Sequence, residues 1–178
     1  VNSFTLSDTA LKADDNATVT LVFSETITSF SSSADITVSS GTLATMTSTD
    51  NITWTGIFTP KPDVEDASNN LSLGTSYTDT AGNAGSSAAT MNYEVDTLAP
   101  TVSSIVISSA TGIQNNVLNA GDVVSFTSTF SENVPVTGTP QLILVIGGDN
   151  RTATYTSGSG SRTLVFKYTI QVGETDTD

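Results

Sequence analysis

The stretch LKADDNATVTLVFSE, residues 11–25, decides how the rest of the sequence reads. Val19, Leu21 and Phe23 alternate with Thr18, Thr20 and Val22, a period of two that puts one set on each face of a strand. Thr and Val carry the branched Cβ that suits a pleated surface. The same stretch returns as LNAGDVVSFTSTFSE at residues 118–132, where Leu118, Ala120, Asp122, Phe130, Ser131 and Glu132 repeat Leu11, Ala13, Asp15, Phe23, Ser24 and Glu25 at a constant spacing of 107. A second alignment, at a spacing of 110, sets Phe58-Thr59 beside Tyr168-Thr169 and Asp66 beside Asp176. A period of about one hundred residues is the size of one β-sandwich domain.

Working outward, the first module reads as seven strands. Phe4 and Leu6 open it, and the Val19 strand follows. Ile36 and Val38 mark a third, and Leu43 to Thr47 a short fourth. Ile52, Trp54 and Phe58 share a face in the fifth, Leu71, Leu73 and Tyr77 in the sixth, and Met91, Tyr93 and Val95 in the seventh. Seven half-buried strands separated by Asp, Asn, Gly and Pro turns predict an all-β, antiparallel, immunoglobulin-like sandwich over residues 1–96. Nowhere do apolar residues recur at helical spacing over three turns, so no helix is predicted.

Residues 97–102 form a short stiff linker, because Pro100 has no N–H and holds Ala99 extended. Residues 103–178 repeat the order with Ile105 and Ile107, then Val124, Phe126 and Phe130, then Leu142, Leu144 and Ile146, then Ala153 and Tyr155, then Leu164, Phe166 and Tyr168. Counted against the first module, the last two strands of this second sandwich are missing. The fragment is therefore expected to be a shortened piece, to have a disordered end, or to borrow strands from a neighbour.

Composition excludes several functions. Five basic residues against 18 acidic ones give a net charge of −13, and the five are too scattered to neutralise a phosphate backbone, so nucleic acid is not an expected partner. No apolar run approaches the ~20 residues needed to span a bilayer, so no membrane insertion is expected. With no His, no Cys and no Lys beside a Ser nucleophile, the usual bases and nucleophiles are missing and no enzyme is expected. Trp54, Tyr77 and Tyr93 fall on the inward faces of their strands and read as core, not as a sugar-stacking platform. Gly158-Ser159-Gly160 is a hairpin turn, since no helix follows it to make a phosphate loop.

The acids are concentrated in the first hundred residues, which hold 12 acids and two bases. In the seven-strand order, loops 1–2 and 5–6 lie at the end where the chain leaves the first module. They carry Asp14 and Asp15, and Asp63, Glu65 and Asp66, with Asp96 just past the last strand. Glu132 belongs to the facing end of the second module. Glu25, Asp79 and Asn83 lie at the opposite end of the first. Oxygen ligands in number, without His or Cys, suit a hard cation, and Ca²⁺ accepts 6–8 of them in loose geometry. Carboxylates gathered there without a cation would repel one another.

Several stretches resemble the immunoglobulin-like repeats in the extender region of large bacterial RTX and biofilm-associated surface adhesins. They are Leu11-Lys12-Ala13-Asp14, Phe23-Ser24-Glu25, Tyr77-Thr78-Asp79-Thr80-Ala81-Gly82-Asn83 and Asp96-Thr97-Leu98-Ala99-Pro100. In the second module they are Phe130-Ser131-Glu132-Asn133-Val134, Gly138-Thr139-Pro140-Gln141-Leu142 and Ala153-Thr154-Tyr155. The resemblance implies a secreted protein on the bacterial surface, in which the modules act as spacers. It implies calcium at the junctions, held by Glu25, Asp79, Asn83, Asp96 and Glu132, with Asp14, Asp15 and Asp63 next. Its partners would be neighbouring repeats of the same polypeptide, while other domains contact the host or substrate surface. The alternative is a ligand-binding adhesion module that grips a sugar or protein.

Overall fold

The structure, a computed structural model, describes residues 1–175. Asp176, the repeat counterpart of Asp66, lies outside them. The chain divides into two compact units, Val1–Ala99 and Pro100–Asp178.

In the first unit ten short strands follow in order: β1 (Ser3–Leu6), β2 (Ala10–Lys12), β3 (Ala17–Val22), β4 (Ile36–Val38), β5 (Gly41–Leu43), β6 (Thr53–Pro60), β7 (Glu65–Asn69), β8 (Leu71–Leu73), β9 (Ala88–Ala89) and β10 (Tyr93–Asp96). One sheet runs β1-β3-β6-β5, and two three-stranded sheets run β2-β10-β7 and β4-β8-β9. The alternating positions do what their period requires. Phe4, Val19, Leu21 and Phe58 of the four-stranded sheet pack against Leu11, Leu71, Leu73, Tyr93 and Val95 of the other two, all 7% exposed or less. Each such aliphatic or aromatic side chain contributes roughly 1.5–3 kcal/mol by leaving water.

Several expectations are corrected. A single helical turn, α1 (Ser32–Asp35), precedes β4. Four residues are too few to show helical periodicity, and Asp35 holds the turn by accepting the Ser31 N–H at 2.8 Å. Met91 does not share the face of Tyr93 and Val95: it precedes β10 and is 84% exposed. Tyr77 lies beyond β8 yet is buried, its hydroxyl donating to the Ser86 carbonyl at 2.6 Å. Ala10–Lys12 and Glu65–Asn69, read from sequence as loop, are strands flanking β10, with β2 parallel and β7 antiparallel to it.

The second unit contains β11 (Val102–Thr111), β12 (Val123–Val134), β13 (Gln141–Ile146), β14 (Asp149–Ser157) and β15 (Ser161–Thr169) in one antiparallel sheet, β11-β12-β15-β14-β13. It is the four-stranded sheet of the first unit built again, with β13 added at the edge. The pairs Ala17–Phe58, Val19–Gly56 and Leu21–Trp54 of β3 and β6 become Val124–Tyr168, Phe126–Phe166 and Ser128–Leu164 of β12 and β15. Phe4–Leu21 and Leu6–Val19 become Ile105–Ser128 and Ile107–Phe126. Even an irregularity recurs. Leu43 pairs with Phe58 but Thr47 with Thr55, and after the matching shift Ser157 pairs with Val165. The expected second sheet of this sandwich is not found among the described residues.

Two outcomes test this packing. An added Cβ at Gly41 would collide with the ring of buried Phe58, so Gly41→Ala should destabilise the first unit by about 1–3 kcal/mol, measured as a lower urea midpoint at unchanged slope. Tyr93 is pushed up from 10.0 to about 12, first by burial and then by the charge of Asp66. Its raised pKa contributes stability below the unfolded value that disappears as pH rises from 10.0 to about 12. A base titration followed by tyrosinate absorbance should show Tyr93 ionising near pH 12 in the folded chain, with stability falling over the range from 10.0 to about 12.

Candidate functional site

Placing the sequence-selected acids shows that several are turn-makers. Asp15 accepts the Lys12 N–H on Oδ2 at 3.0 Å, and its own N–H donates to the Lys12 carbonyl at 3.2 Å. Asp122, its repeat partner, does the same with Asn119 at 2.7 and 3.0 Å. The residue before each carboxylate is left-handed, Asp14 at φ 68° and Gly121 at φ 96°. Gly adopts that conformation freely, and Asp tolerates it better than most residues. The recurring Leu-x-Ala-x-Asp motif therefore encodes a closed turn that delivers the chain into the central strand.

Asp79 plays a similar part in the Asp79–Asn83 turn. Its Oδ1 accepts the N–H groups of Ala81 and Asn83, both at 2.8 Å, and its Oδ2 accepts the Asn83 side-chain amide at 2.7 Å. Those bonds, the Asn83 side chain first, hold its carboxyl below the usual aspartate range. Asp50 is lowered in the same way by the N–H groups of Thr53 and Ile52 and the Ser48 hydroxyl. Glu25 lies exposed after β3, close in sequence to the Ile27–Asp79 bridge.

At the other end of the unit, Asp96 closes β10 between Lys12 on one side and Glu65 on the other. Here the register brings two of the loop acids side by side, with a lysine as neighbour. Asp63 is exposed and left-handed at φ 57°, in a turn fastened by Thr97, whose Oγ1 donates to the Lys61 carbonyl and accepts the Val64 N–H. Glu132 belongs to the second unit, half-buried where the β12–β15 register shifts between Thr129 and Val134. Among the described residues no three acidic side chains gather as a preformed metal group.

Two polar clusters escaped the sequence reading. Buried Asp35 also accepts the Ser76 hydroxyl, 41 residues away. In the second unit the buried Glu174 carboxylate accepts from Arg151, the Tyr168 hydroxyl and the Gln171 N–H, which together lower its pKa, the Gln171 bond foremost. Ser76 and Arg151 lie 41 and 23 residues from these carboxylates and meet them only once the chain has folded.

Asp79 gives a pH test. Its depressed pKa makes its contribution present above the unfolded aspartate value, about 3.9, and lost as pH falls through the lower folded value. Carboxyl-carbon NMR should place Asp79 below an unstructured aspartate, with the Ala81 and Asn83 amides shifting at the same midpoint. A normal midpoint for Asp79 would show that those amides do not hold it.

The first unit is thus a β-sandwich in which Asp8, Asp15, Asp35, Asp50, Asp66 and Asp79 accept backbone N–H groups of nearby residues. No curated protein and no solved structure gives a significant match. Residues 2–95, just over half of the chain, match the family described as bacterial Ig-like domain, and the chain belongs to that family.

Proposed function

We propose that the chain is a non-catalytic spacer segment of a bacterial cell-surface adhesin, exported to the extracellular side. The observation that carries this is the duplicated sheet: one chain builds the same four strands twice, in the same order and register. Repetition of a self-sufficient pattern adds length, whereas a catalytic or ligand-binding role needs a particular constellation of side chains. The aromatic residues most able to stack on a sugar are committed elsewhere. Tyr77 and Tyr93 are buried, and Trp54 is half-buried with its ring edge-on to Phe30 at 5.0 Å. No helix among the described residues is long and apolar enough to cross a membrane. Bacterial Ig-like domains commonly occur in surface proteins, and the neighbours of such a module would be further repeats of the same polypeptide.

Calcium at the loop ends is part of the proposal. What supports it is the excess of acids over bases in the first hundred residues and the side-by-side placement of Asp96 and Glu65. Asp14 and Asp63, exposed in the turns before and after, are the carboxylates without a bond to a backbone N–H in those turns. Asp15 and Asp79 already satisfy backbone donors, so a cation there would add to an existing turn and not create it.

Extracellular modules bind calcium at about 10⁻⁴–10⁻³ M, so millimolar calcium would add roughly 0.4–1.4 kcal/mol per site. A thermal melt in a few millimolar CaCl₂ should therefore run several degrees above one in excess EGTA at equal ionic strength. Mg²⁺ at the same concentration should not reproduce the rise. Identical melts would remove calcium from the proposal and leave the acids as turn-makers and solvated surface.

A further inference from the structure

The linker is gripped at both ends by bonds that lie wholly within one unit or the other. On the first side Thr97 is tied to the turn after β6. Its N–H donates to the Val64 carbonyl at 2.7 Å, its hydroxyl donates to the Lys61 carbonyl at 2.7 Å, and the same oxygen accepts the Val64 N–H at 3.0 Å. On the second side Thr101 and Ser131 exchange two bonds. The Thr101 N–H donates to the Ser131 hydroxyl at 3.0 Å, and the Ser131 N–H donates to the Thr101 carbonyl at 2.9 Å. Leu98, Ala99 and Pro100, between these ties, have no hydrogen-bond partner among the described residues.

We propose that Thr97 and Ser131 are clips that confine bending between the units to Leu98-Ala99-Pro100, half of the six residues that read as linker. The internal repeat separates this role from the needs of the turn itself. At the spacing of 110, Lys61-Pro62-Asp63-Val64 returns as Gln171-Val172-Gly173-Glu174, left-handed at Asp63 (φ 57°) and at Gly173 (φ 85°). The second copy closes that turn from within, the Gln171 N–H donating to the Glu174 carboxylate at 2.8 Å. The first copy closes it with Thr97, 33 residues beyond Val64. What the distant residue adds is a fixed starting point for the linker. Between the clips, the Pro100 ring fixes its own φ and disfavours the helical region for Ala99. Leu98, 40% exposed, is left with both dihedrals free. Thr97 is thus a positioning residue whose hydroxyl must both donate and accept, which an apolar side chain of the same shape does not do.

The test uses the full chain in EGTA, which keeps any cation at the loop ends out of the comparison. The chain has no cysteine, so spin labels can be carried on Thr37→Cys in β4 and Thr163→Cys in β15, both exposed strand positions. Amide relaxation of the parent should show Thr97 and Thr101 as rigid as the neighbouring strands, with Leu98 and Ala99 more mobile. Thr97→Val should speed exchange of the Val64 amide by about five- to tenfold and broaden the distance distribution between the labels. Thr97→Ser should restore both. Ser131→Ala and Leu98→Gly should broaden the distribution and leave Val64 exchange as in the parent. An unchanged distribution in Thr97→Val, Ser131→Ala or Leu98→Gly would overturn the proposal, as would a Thr97 or Thr101 amide as mobile as Leu98 in the parent. Should Thr97→Val lower the melt, the parent relaxation and Leu98→Gly decide by themselves, since neither removes a hydrogen bond.

Discussion

Everything in this chain is hung on one antiparallel pairing, β3 with β6 and its repeat, β12 with β15. The central pair fixes which residues face the core, because a slip of one residue would turn every side chain to the other face. Val19 and Leu21, paired with Gly56 and Trp54, are turned by that register toward the core and are fully buried there. The outer strands then inherit their register from this pair. The reappearance of the same partners, down to the shift at Thr47 and Ser157, shows that the duplicated unit is this hydrogen-bonded frame more than any particular side chain.

The acids make sense against that frame. A sheet of short strands needs many tight turns, and each turn leaves backbone N–H groups that no ladder can satisfy. Aspartate supplies an acceptor at short reach, as Asp15, Asp50, Asp79 and Asp122 all do. The cost is a large negative charge with few bases to offset it. Asp96 beside Glu65 is where that cost concentrates, since like charges directly across a strand pair repel. Lys12 on the other side of Asp96 offsets part of it. Geometry thus separates the acids that bond to turn N–H groups from those that do not, where composition alone could not.

The alternating faces were legible because period two survives in each core strand: Val19-Leu21, Leu71-Leu73 and Leu164-Phe166-Tyr168 are all buried as their spacing requires. The repeat was legible because Phe23-Ser24-Glu25 returned intact. What the sequence concealed has physical reasons. β7 reads Glu-Asp-Ala-Ser-Asn and has no apolar alternation, because it is held by pairing with β10 and by Asn69, whose side-chain amide donates to the carbonyls of Asp66 and Tyr93. Met91 matches the period-two pattern but lies two residues before β10 begins, where no pairing turns it toward the core. The candidate acids were legible as residues but not as roles. Whether a carboxylate faces its own backbone or a neighbour depends on φ at one position, such as Asp14, and on strand register, as at Asp96.

The divergence between the copies follows a volume rule. In the first unit the large cross-strand pair is Leu21–Trp54 and the small one Val19–Gly56; in the second the large pair is Phe126–Phe166 and the smaller one Ser128–Leu164. The bulk has moved one step along the same face. Gly56 leaves a space that Met46 fills from the neighbouring segment: an added Cβ at Gly56 would lie 2.8 Å from Met46 Cγ, and Met46 is only 3% exposed. In the second copy Phe166 fills that space itself, and Thr156, 110 residues after Met46, is exposed. A core tolerates such exchanges when total volume and pattern are kept. The same frame can therefore change its side chains, and with them the surface it leaves uncovered, without changing its hydrogen bonds.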